Sequence, residues 1–201
     1  MKLKSLIMKE IVESDTVDYN FTLKDSDEGM QLVLANDLAA VREKYIEVIE
    51  HTKDMNMHAR WIYGKHPTDA MIQSYIDRQE MYLFMDGQNV VGMIAVTMYQ
   101  GEDYHEILWS ENLKDDEVAS LHILAVLPKY QGKGVSNKMM ADIISLAREK
   151  GKKTIRLDVL ASNIPARCMY ERPGFAYRGK QNLFAENTGW TDFLYYELPV
   201  L

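Results

Sequence analysis

A short glycine-containing segment, Gln131-Gly132-Lys133-Gly134-Val135-Ser136, combines residue types that can bind an anion. It follows an apolar run that ends at Leu127, and it precedes a segment with the periodicity of a helix. Glycines allow a tight turn, while the first turn of a helix presents unbonded N–H groups and the positive end of the helix dipole. This arrangement suits a phosphate. Two glycines that serve only close packing would give the same pattern, so the segment alone leaves both interpretations open.

A second segment downstream carries polar, small and aromatic residues at fixed spacing, namely Asn163, Ala166, Tyr170, Gly174 and Phe175. Together the two segments resemble the signatures of the GNAT superfamily of acyl-CoA-dependent N-acetyltransferases. They occur in the family's order, and the resemblance extends over roughly residues 30 to 198. The sequence departs from the family pattern at Ser136, where Gly or Ala is usual, and at Pro173, where an aliphatic residue is usual.

The resemblance implies acetyl-CoA as co-substrate and assigns its contacts. Main-chain N–H groups of the loop would surround the pyrophosphate, and the Lys133 side chain would add surface charge; the loop residues are Gln131, Gly132, Lys133, Gly134, Val135 and Ser136. In the family, the pantetheine arm lies between two parallel strands that diverge. Here those strands would end at Leu124-Ala125-Val126 and at Asp158-Val159-Leu160. The Val126 N–H would polarise the thioester carbonyl, and Asn163 would cap the next helix and contact the cofactor.

The proton donor implied by the resemblance is Tyr170. It matches the family tyrosine whose hydroxyl protonates the departing CoA thiolate. A neutral phenol, with an ordinary pKa of about 10, remains a proton donor at neutral pH. A tyrosine that only packs its helix against the sheet is the alternative.

The proton acceptor has two candidates, His122 and Glu117. The segment from Ser120 to Val126 is similar to a strand of arylalkylamine N-acetyltransferases whose two histidines act as the base; His122 matches the second, and Ser120 replaces the first. Family members also use a glutamate on this strand, which favours Glu117. A strand histidine among apolar neighbours is also typical of a hydrogen-bonded core residue, so the sequence does not decide between them.

Composition narrows the class of protein. The chain has 201 residues and 47% hydrophobic content, which predict one main domain. It contains one cysteine, Cys168, which favours a reducing compartment. Its formal net charge is −7. The acidity argues against nucleic-acid or anionic membrane partners. A signal-peptide pattern and a membrane-spanning apolar run are both lacking, so we expect a cytoplasmic protein. The five histidines lack metal-ligand spacing, and no metal is expected.

Hydrophobic periodicity and turn residues predict the order of elements. Strands are expected at 31–35, 81–85, 90–99, 118–127, 154–160, 175–178 and 193–198. Helices are expected at 38–49, 67–76, 135–150 and 163–172, and residues 100–116 as a loop or a frayed strand extension. This order predicts an α/β fold with a GNAT-like mixed, mostly antiparallel twisted sheet, a central parallel splayed strand pair and flanking helices.

Residues 1–29 are read as an N-terminal appendage and residues 30–201 as the acetyltransferase domain. The predicted activity is transfer of an acetyl group from acetyl-CoA to a primary amine, on a small molecule or a protein, by direct attack in a ternary complex. Two alternatives stay open: an acyl-CoA-binding sensor or interaction module without transfer activity, and an acyltransferase with a longer acyl donor. The acceptor and the oligomeric state also stay open, with a homodimer among the options.

Overall fold

The architecture is one mixed sheet with helices on both faces, as seen in a computed structural model that describes residues 29–200. The predicted appendage, residues 1–29, lies outside the described residues except for Gly29. The strands are β1 (Gln31–Leu34), β2 (Met81–Asp86), β3 (Asn89–Thr97), β4 (Val118–Val126), β5 (Thr154–Leu160), β6 (Ala176–Ala185) and β7 (Gly189–Pro199). Their order in the sheet is β1-β2-β3-β4-β5-β7-β6. Within residues 29–200 the β4–β5 pair is parallel and the other five neighbouring pairs are antiparallel, which confirms the predicted fold class.

The helices of the described residues begin at polar or glycine caps. They are α1 (Leu38–His51), α2 (Asp69–Asp77), α3 (Val135–Glu149) and α4 (Ile164–Glu171). The Asp37 carboxylate accepts from the Ala39 N–H at 2.8 Å and so satisfies a free donor of the first turn of α1. Gly134, with φ of 79°, precedes α3 and contributes no side-chain cap. No helix in the described range is both long and apolar enough to cross a bilayer.

Each face of the sheet carries its own apolar cluster. On one face, Met139 and Ile143 of α3 pack with Leu157 of β5. On the other face, Tyr45 of α1 and Ile72 of α2 pack against β3, with both side chains fully buried. The alternation of strand side chains between faces therefore places α1 and α2 opposite α3 and α4.

The segment between β3 and β4 covers the rest of the α1–α2 face. Two short 3₁₀ turns interrupt it, Glu102–Tyr104 and Asp115–Glu117, and it is otherwise a loop rather than a strand extension. Tyr104 is buried and meets Tyr195 of β7 edge to face, with ring centroids 5.4 Å apart. Beneath it, the buried Arg156 guanidinium lies 4.2 Å from the centre of the Trp109 ring. These contacts hold the loop against the sheet.

The last two strands are longer than their predicted ranges of 175–178 and 193–198. They pair continuously up to Ala185 opposite Gly189, so the hairpin turn lies at 186–188. The added residues of β6 alternate between exposed and half-buried, and they include Lys180, Gln181 and Asn182. A polar edge strand of this kind lacks the apolar pattern by which strands are recognised.

Candidate functional site

The central feature is the place where β4 and β5 separate. The two strands pair in parallel from Val118 opposite Thr154 to Leu121 opposite Leu157, and no pairing continues beyond. On the other side of β4, residues 93–95 of β3 face residues 122–125 of β4, so β4 contains one extra residue. This is a β-bulge, and a bulge bends the strand that carries it. The bend starts directly after the last β4–β5 pair and opens a gap between the two strands.

The bulge is centred on Ile123, whose φ of 47° is unusual for a β-branched residue. Such a conformation costs roughly 1–3 kcal/mol and persists only where its surroundings hold it. The Tyr45 hydroxyl of α1 donates to the Ile123 carbonyl oxygen at 2.7 Å, and this contact is buried. Helix α1 therefore fixes the bulge that separates the strands.

The predicted anion-binding loop lies at the open end of this gap. Gly132 and Gly134 have φ of 73° and 79°, and a Cβ on either would meet no other atom within 4 Å. Among the described residues, the main-chain N–H groups of 132–136 have no protein acceptor. The Gln131 side chain donates to the Val126 carbonyl oxygen at 2.9 Å and to the Thr52 hydroxyl at 3.0 Å, which ties the loop to the end of β4. The loop thus offers a row of free donors, and its residues fit a diphosphate.

A cavity of about 730 Å³ joins the loop to the gap. It is lined by eleven of the residues predicted for the site: His122, Leu124, Ala125, Val126, Gln131, Gly132, Gly134, Val135, Ser136, Asn163 and Tyr170. Lys133 and Glu117 do not line it. The Leu127 N–H donates to the Val91 carbonyl oxygen of β3 at 3.0 Å, and successive N–H groups of a strand point to opposite sides. The Val126 N–H therefore faces the gap.

Tyr170 lies on α4 with only 7% of its surface exposed, and it reaches the cavity. Its ring packs near Phe175, with centroids 5.8 Å apart, and its hydroxyl has no hydrogen-bond partner among the described residues. Burial raises its pKa well above the ordinary value for tyrosine. The phenol is therefore neutral over the whole physiological range and keeps its proton available.

Asn163 caps α4, as predicted. Its side-chain oxygen accepts from the Ala166 N–H at 3.3 Å, and the residue also lines the cavity. The preceding residue, Ser162, donates from its hydroxyl to the His58 carbonyl oxygen at 2.9 Å. The loop that enters α4 is thus bonded to the segment between α1 and α2.

His122 lies in the cavity wall on the α1–α2 face. Its ring stacks on Tyr75 of α2, with centroids 5.8 Å apart, and its Nε2 is 3.4 Å from the Thr97 hydroxyl. Burial lowers the pKa of His122 to about 4, so the ring is neutral at pH 7. A neutral imidazole can accept a proton, but one with this pKa is a weak base.

Glu117 lies at the other end of β4, before the first β4–β5 pair. Its carboxylate forms an ion pair of 2.6 Å with Lys153, which lowers the pKa of Glu117. The structure therefore does not bring Glu117 together with Tyr170 and Val126. Of the two candidate bases, His122 is the one in the cavity.

Aromatic residues of the α1–α2 segment and of the β3–β4 loop divide into two groups. Trp61 lines the cavity and meets Tyr45 at 5.9 Å between ring centroids. Tyr63 instead bonds to Asp69 outside the lining, and Trp109 stacks on Tyr104 within the loop. The loop aromatics therefore build the wall behind the cavity rather than its surface.

Sequence reasoning missed Asp158 as a site residue. It lines the cavity from β5, and its Oδ1 accepts from the Tyr104 hydroxyl at 2.8 Å. Burial raises the pKa of this carboxyl, partly offset by the tyrosine hydrogen bond. The sequence does indicate this residue, because Asp158 lies within the apolar run of a central strand, where an unpaired charge is rare. In the described part of the chain, no cluster of three metal-binding side chains occurs.

Comparisons with known proteins agree with this fold. Residues 46–175 match the profile described as the Acetyltransferase (GNAT) family. An uncharacterized N-acetyltransferase of Methanocaldococcus jannaschii is 31% identical over 67 residues, 33% of this chain and 30% of that protein. A ribosomal protein bS18-alanine N-acetyltransferase of Haemophilus influenzae is 42% identical over 57 residues, 28% of this chain and 38% of that protein. The chain thus aligns with less than two fifths of either relative.

Solved structures share the fold over a larger part of the chain than these two sequence relatives match. The structure described as yncA, a putative acetyltransferase from Salmonella typhimurium with its cofactor acetyl-CoA, has a TM-score of 0.62 and 18% identity, covering 87% of this chain and 95% of that one. The mixed sheet and the family match together define the class of protein to which the chain is assigned. The chain belongs to the GNAT acetyltransferase family.

Proposed function

We propose that the protein is an N-acetyltransferase that moves an acetyl group from acetyl-CoA to a primary amine by direct attack in a ternary complex. One observation carries the proposal: a row of free N–H groups at 132–136 opens into a cavity that runs along the gap between β4 and β5. Helix N-termini and glycine turns bind phosphates, and a gap between strands can hold an amide-containing arm by main-chain hydrogen bonds. When bound, acetyl-CoA would supply an activated acetyl thioester.

The chain would contribute two groups to the reaction. The Val126 N–H, which faces the gap, would donate to the carbonyl oxygen as negative charge develops there, and donors of this kind lower acyl-transfer barriers by about 3–4 kcal/mol. The neutral Tyr170 hydroxyl would give its proton to the departing sulfur. Both groups line the same cavity.

Acetyl-CoA binding is tested on the intact protein by calorimetry. Gly134→Ala should raise the acetyl-CoA Kd by at least about tenfold, equivalent to about 1.4 kcal/mol, because its Cβ would enter the lining of the cavity. Gly151→Ala is the matched control, since Gly151 has a similar φ of 70°, equally open space and no place in the cavity. Each variant should lose about 1–2 kcal/mol of stability. Equal Kd values for the two variants would contradict phosphate binding at the loop.

Transfer is tested by CoA release with a panel of amines. Tyr170→Phe should lower kcat by about 10²-fold or more while the acetyl-CoA Kd changes less than about twofold. Tyr177→Phe is the control, because Tyr177 is 52% exposed on β6 and lies outside the cavity. Tight acetyl-CoA binding without turnover on any amine would favour a binding module, and turnover only with a longer donor would change the donor assignment. Unchanged kcat in Tyr170→Phe would remove the acid role of this residue.

A further inference from the structure

The wall of the cavity contains a single carboxylate among its described lining residues, that of Asp158. Side chains on both sides of the gap surround it. Leu121 and Leu157 form the last β4–β5 pair, so the next residues, His122 and Asp158, both point to the opposite face of the sheet. His66 also lines the cavity, near enough to Asp158 and His122 for their charges to affect its pKa. The side chains of Asp158, His122 and His66 therefore line the cavity at the point where β4 and β5 separate.

Asp158 is half-buried and has no cationic partner within residues 29–200, unlike the two buried glutamates. Glu197 pairs with Arg178 at 2.6 Å, and Glu80 pairs with Arg78 at 2.8 Å. Asp158 receives one side-chain hydrogen bond, from the Tyr104 hydroxyl. A carboxylate partly removed from water without a counter-charge is costly, so its place in the cavity wall points to a cation that arrives with a ligand.

The histidines beside Asp158 cannot supply that cation at neutral pH. Burial lowers the pKa of both His66 and His122, that of His122 to about 4. Both rings are therefore neutral at pH 7. The charged ligand that fits is an alkylammonium group, which is almost fully protonated in solution because its pKa is about 10.

We propose that Asp158 binds the ammonium group of a small amine acceptor and then takes one of its protons. This inference rests on the proposed acetyl transfer, and it names the acceptor class and the proton acceptor that the first proposal leaves open. Asp158 would touch the substrate directly, while Tyr104 would act as a positioning residue that holds the carboxylate through its hydroxyl.

The size of the acceptor follows from a bridge across one side of the cavity. The Arg60 guanidinium donates to the Thr188 carbonyl oxygen at 2.9 Å, and the Asn187 side chain donates to the Arg60 carbonyl oxygen at 2.8 Å. These bonds join the segment between α1 and α2 to the β6–β7 turn, and both segments line the cavity. An extended polypeptide would have to break the bridge, whereas a small amine would not.

The proton balance of the reaction is complete with these residues. The Asp158 carboxylate removes one proton from the ammonium and frees the nitrogen lone pair. The nitrogen attacks the thioester carbon, a C–N bond forms, and the C–S bond breaks with its electrons on sulfur. Tyr170 protonates the sulfur and recovers a proton from the nitrogen. The products are the N-acetyl amine, the CoA thiol and one proton, which leaves from Asp158 to solvent.

The pKa shifts of Asp158 and His122, which both line the cavity, favour Asp158 as the proton acceptor. Its pKa is raised by burial, which makes the carboxylate a stronger base than an exposed aspartate. The low pKa of His122 makes the imidazole a weaker base than usual. His122 would then have a structural role, in which its ring packs on Tyr75 and forms the cavity wall beside Asp158.

The first experiment needs no variant. Calorimetry on the protein saturated with coenzyme A compares 2-phenylethylamine with its neutral analogue 2-phenylethanol. We expect the ammonium compound to bind at least about tenfold more tightly, since only the ammonium can form a hydrogen bond between charged groups with Asp158. Equal affinities, or tighter binding of the alcohol, would overturn the proposal.

The second experiment measures kcat, KM and acetyl-CoA Kd for Asp158→Asn and for the charge-matched control Asp86→Asn, whose side chain is exposed at the end of β2. The acceptors are 2-phenylethylamine, tryptamine, spermidine and an alanine-initiated peptide. We expect Asp158→Asn to lower kcat/KM for small amines by about 10²-fold or more, with acetyl-CoA Kd and folding retained. The control should match the wild type.

The outcomes separate the two proposals. If the wild-type protein acetylates none of the acceptors, the proposed function fails and this inference fails with it. If the wild type is active and Asp158→Asn keeps more than about a tenth of its kcat/KM, only the role of Asp158 is wrong. If the peptide is preferred over every small amine, the assignment of the acceptor class is wrong.

Discussion

Replacing Tyr45 by Phe tests whether a single buried hydroxyl holds the strands apart. The substitution keeps the ring, which is fully buried and packs near Trp61 at 5.9 Å between centroids. It removes the 2.7 Å hydrogen bond to the Ile123 carbonyl oxygen. That oxygen is buried on the bulge, so without Tyr45 it loses its partner in a region with little access to water.

The magnitude follows from the structure. Leaving a buried acceptor unpaired costs about 1–3 kcal/mol, and here the lost bond also helps to hold Ile123 at its φ of 47°. For a chain of this size, each kcal/mol corresponds to a fall of about 2–4 °C in Tm. Because the bulge sets the direction of residues 124–126, we also expect the acetyl-CoA Kd to increase.

The assay is urea unfolding of the unliganded protein together with acetyl-CoA calorimetry. Tyr63→Phe is the matched control, since its hydroxyl bonds to the exposed Asp69 and the expected change is within about 0.5 kcal/mol. If Tyr45→Phe also changes the free energy of unfolding by less than about 0.5 kcal/mol, the bulge does not depend on this bond. A stability loss with unchanged acetyl-CoA affinity would show that the bulge does not shape the cofactor site.

Three further predictions concern titratable side chains. Glu197→Gln should destabilise the protein by about 3–5 kcal/mol in urea unfolding, because Arg178 and Arg156 lose their shared carboxylate partner. Asp158→Asn should instead raise Tm at pH 7, because the raised pKa of Asp158 means that its charged form is disfavoured in the folded state. The increase in Tm should vanish at a pH low enough to protonate the wild-type carboxyl. For His122, with its pKa lowered to about 4, protonation favours the unfolded state. The free energy of unfolding should therefore not depend on His122 above about pH 6.5, and it should fall by at most about 3 kcal/mol as the pH is lowered to about 4. His122→Gln should remove that fall.

Several elements were predictable from the sequence because their signals are local. The cap at Asn163 depends on a side chain that bonds three residues away. The strand Thr154–Leu160 matches its predicted bounds because its apolar residues alternate against one face. The glycine loop before α3 was recognisable because its conformation requires glycine at defined positions.

The bulge at Ile123 was not predictable in this way. Nothing in the apolar run of β4 marks one residue as extra, since the bulge arises from the register with β3 and from a bond to Tyr45, 78 positions earlier in the chain. The separation of β4 from β5 therefore depends on a tertiary contact. The position of Glu117 was equally unpredictable, because the sequence does not show that this residue, just before β4, lies at the end of the strand away from the cavity.

The sequence by itself determined the order of elements, the glycine-containing loop before α3 and the position of Tyr170 on α4, because each depends on residues close together in the chain. Tertiary structure decided which side chains share one cavity. It brought Asp158 and His122 to the same face beyond the last paired residues of β4 and β5, and it paired Glu117 with Lys153 outside the cavity. The physical reason is that burial and pairing of charge depend on distant segments, which approach one another only when the sheet has formed.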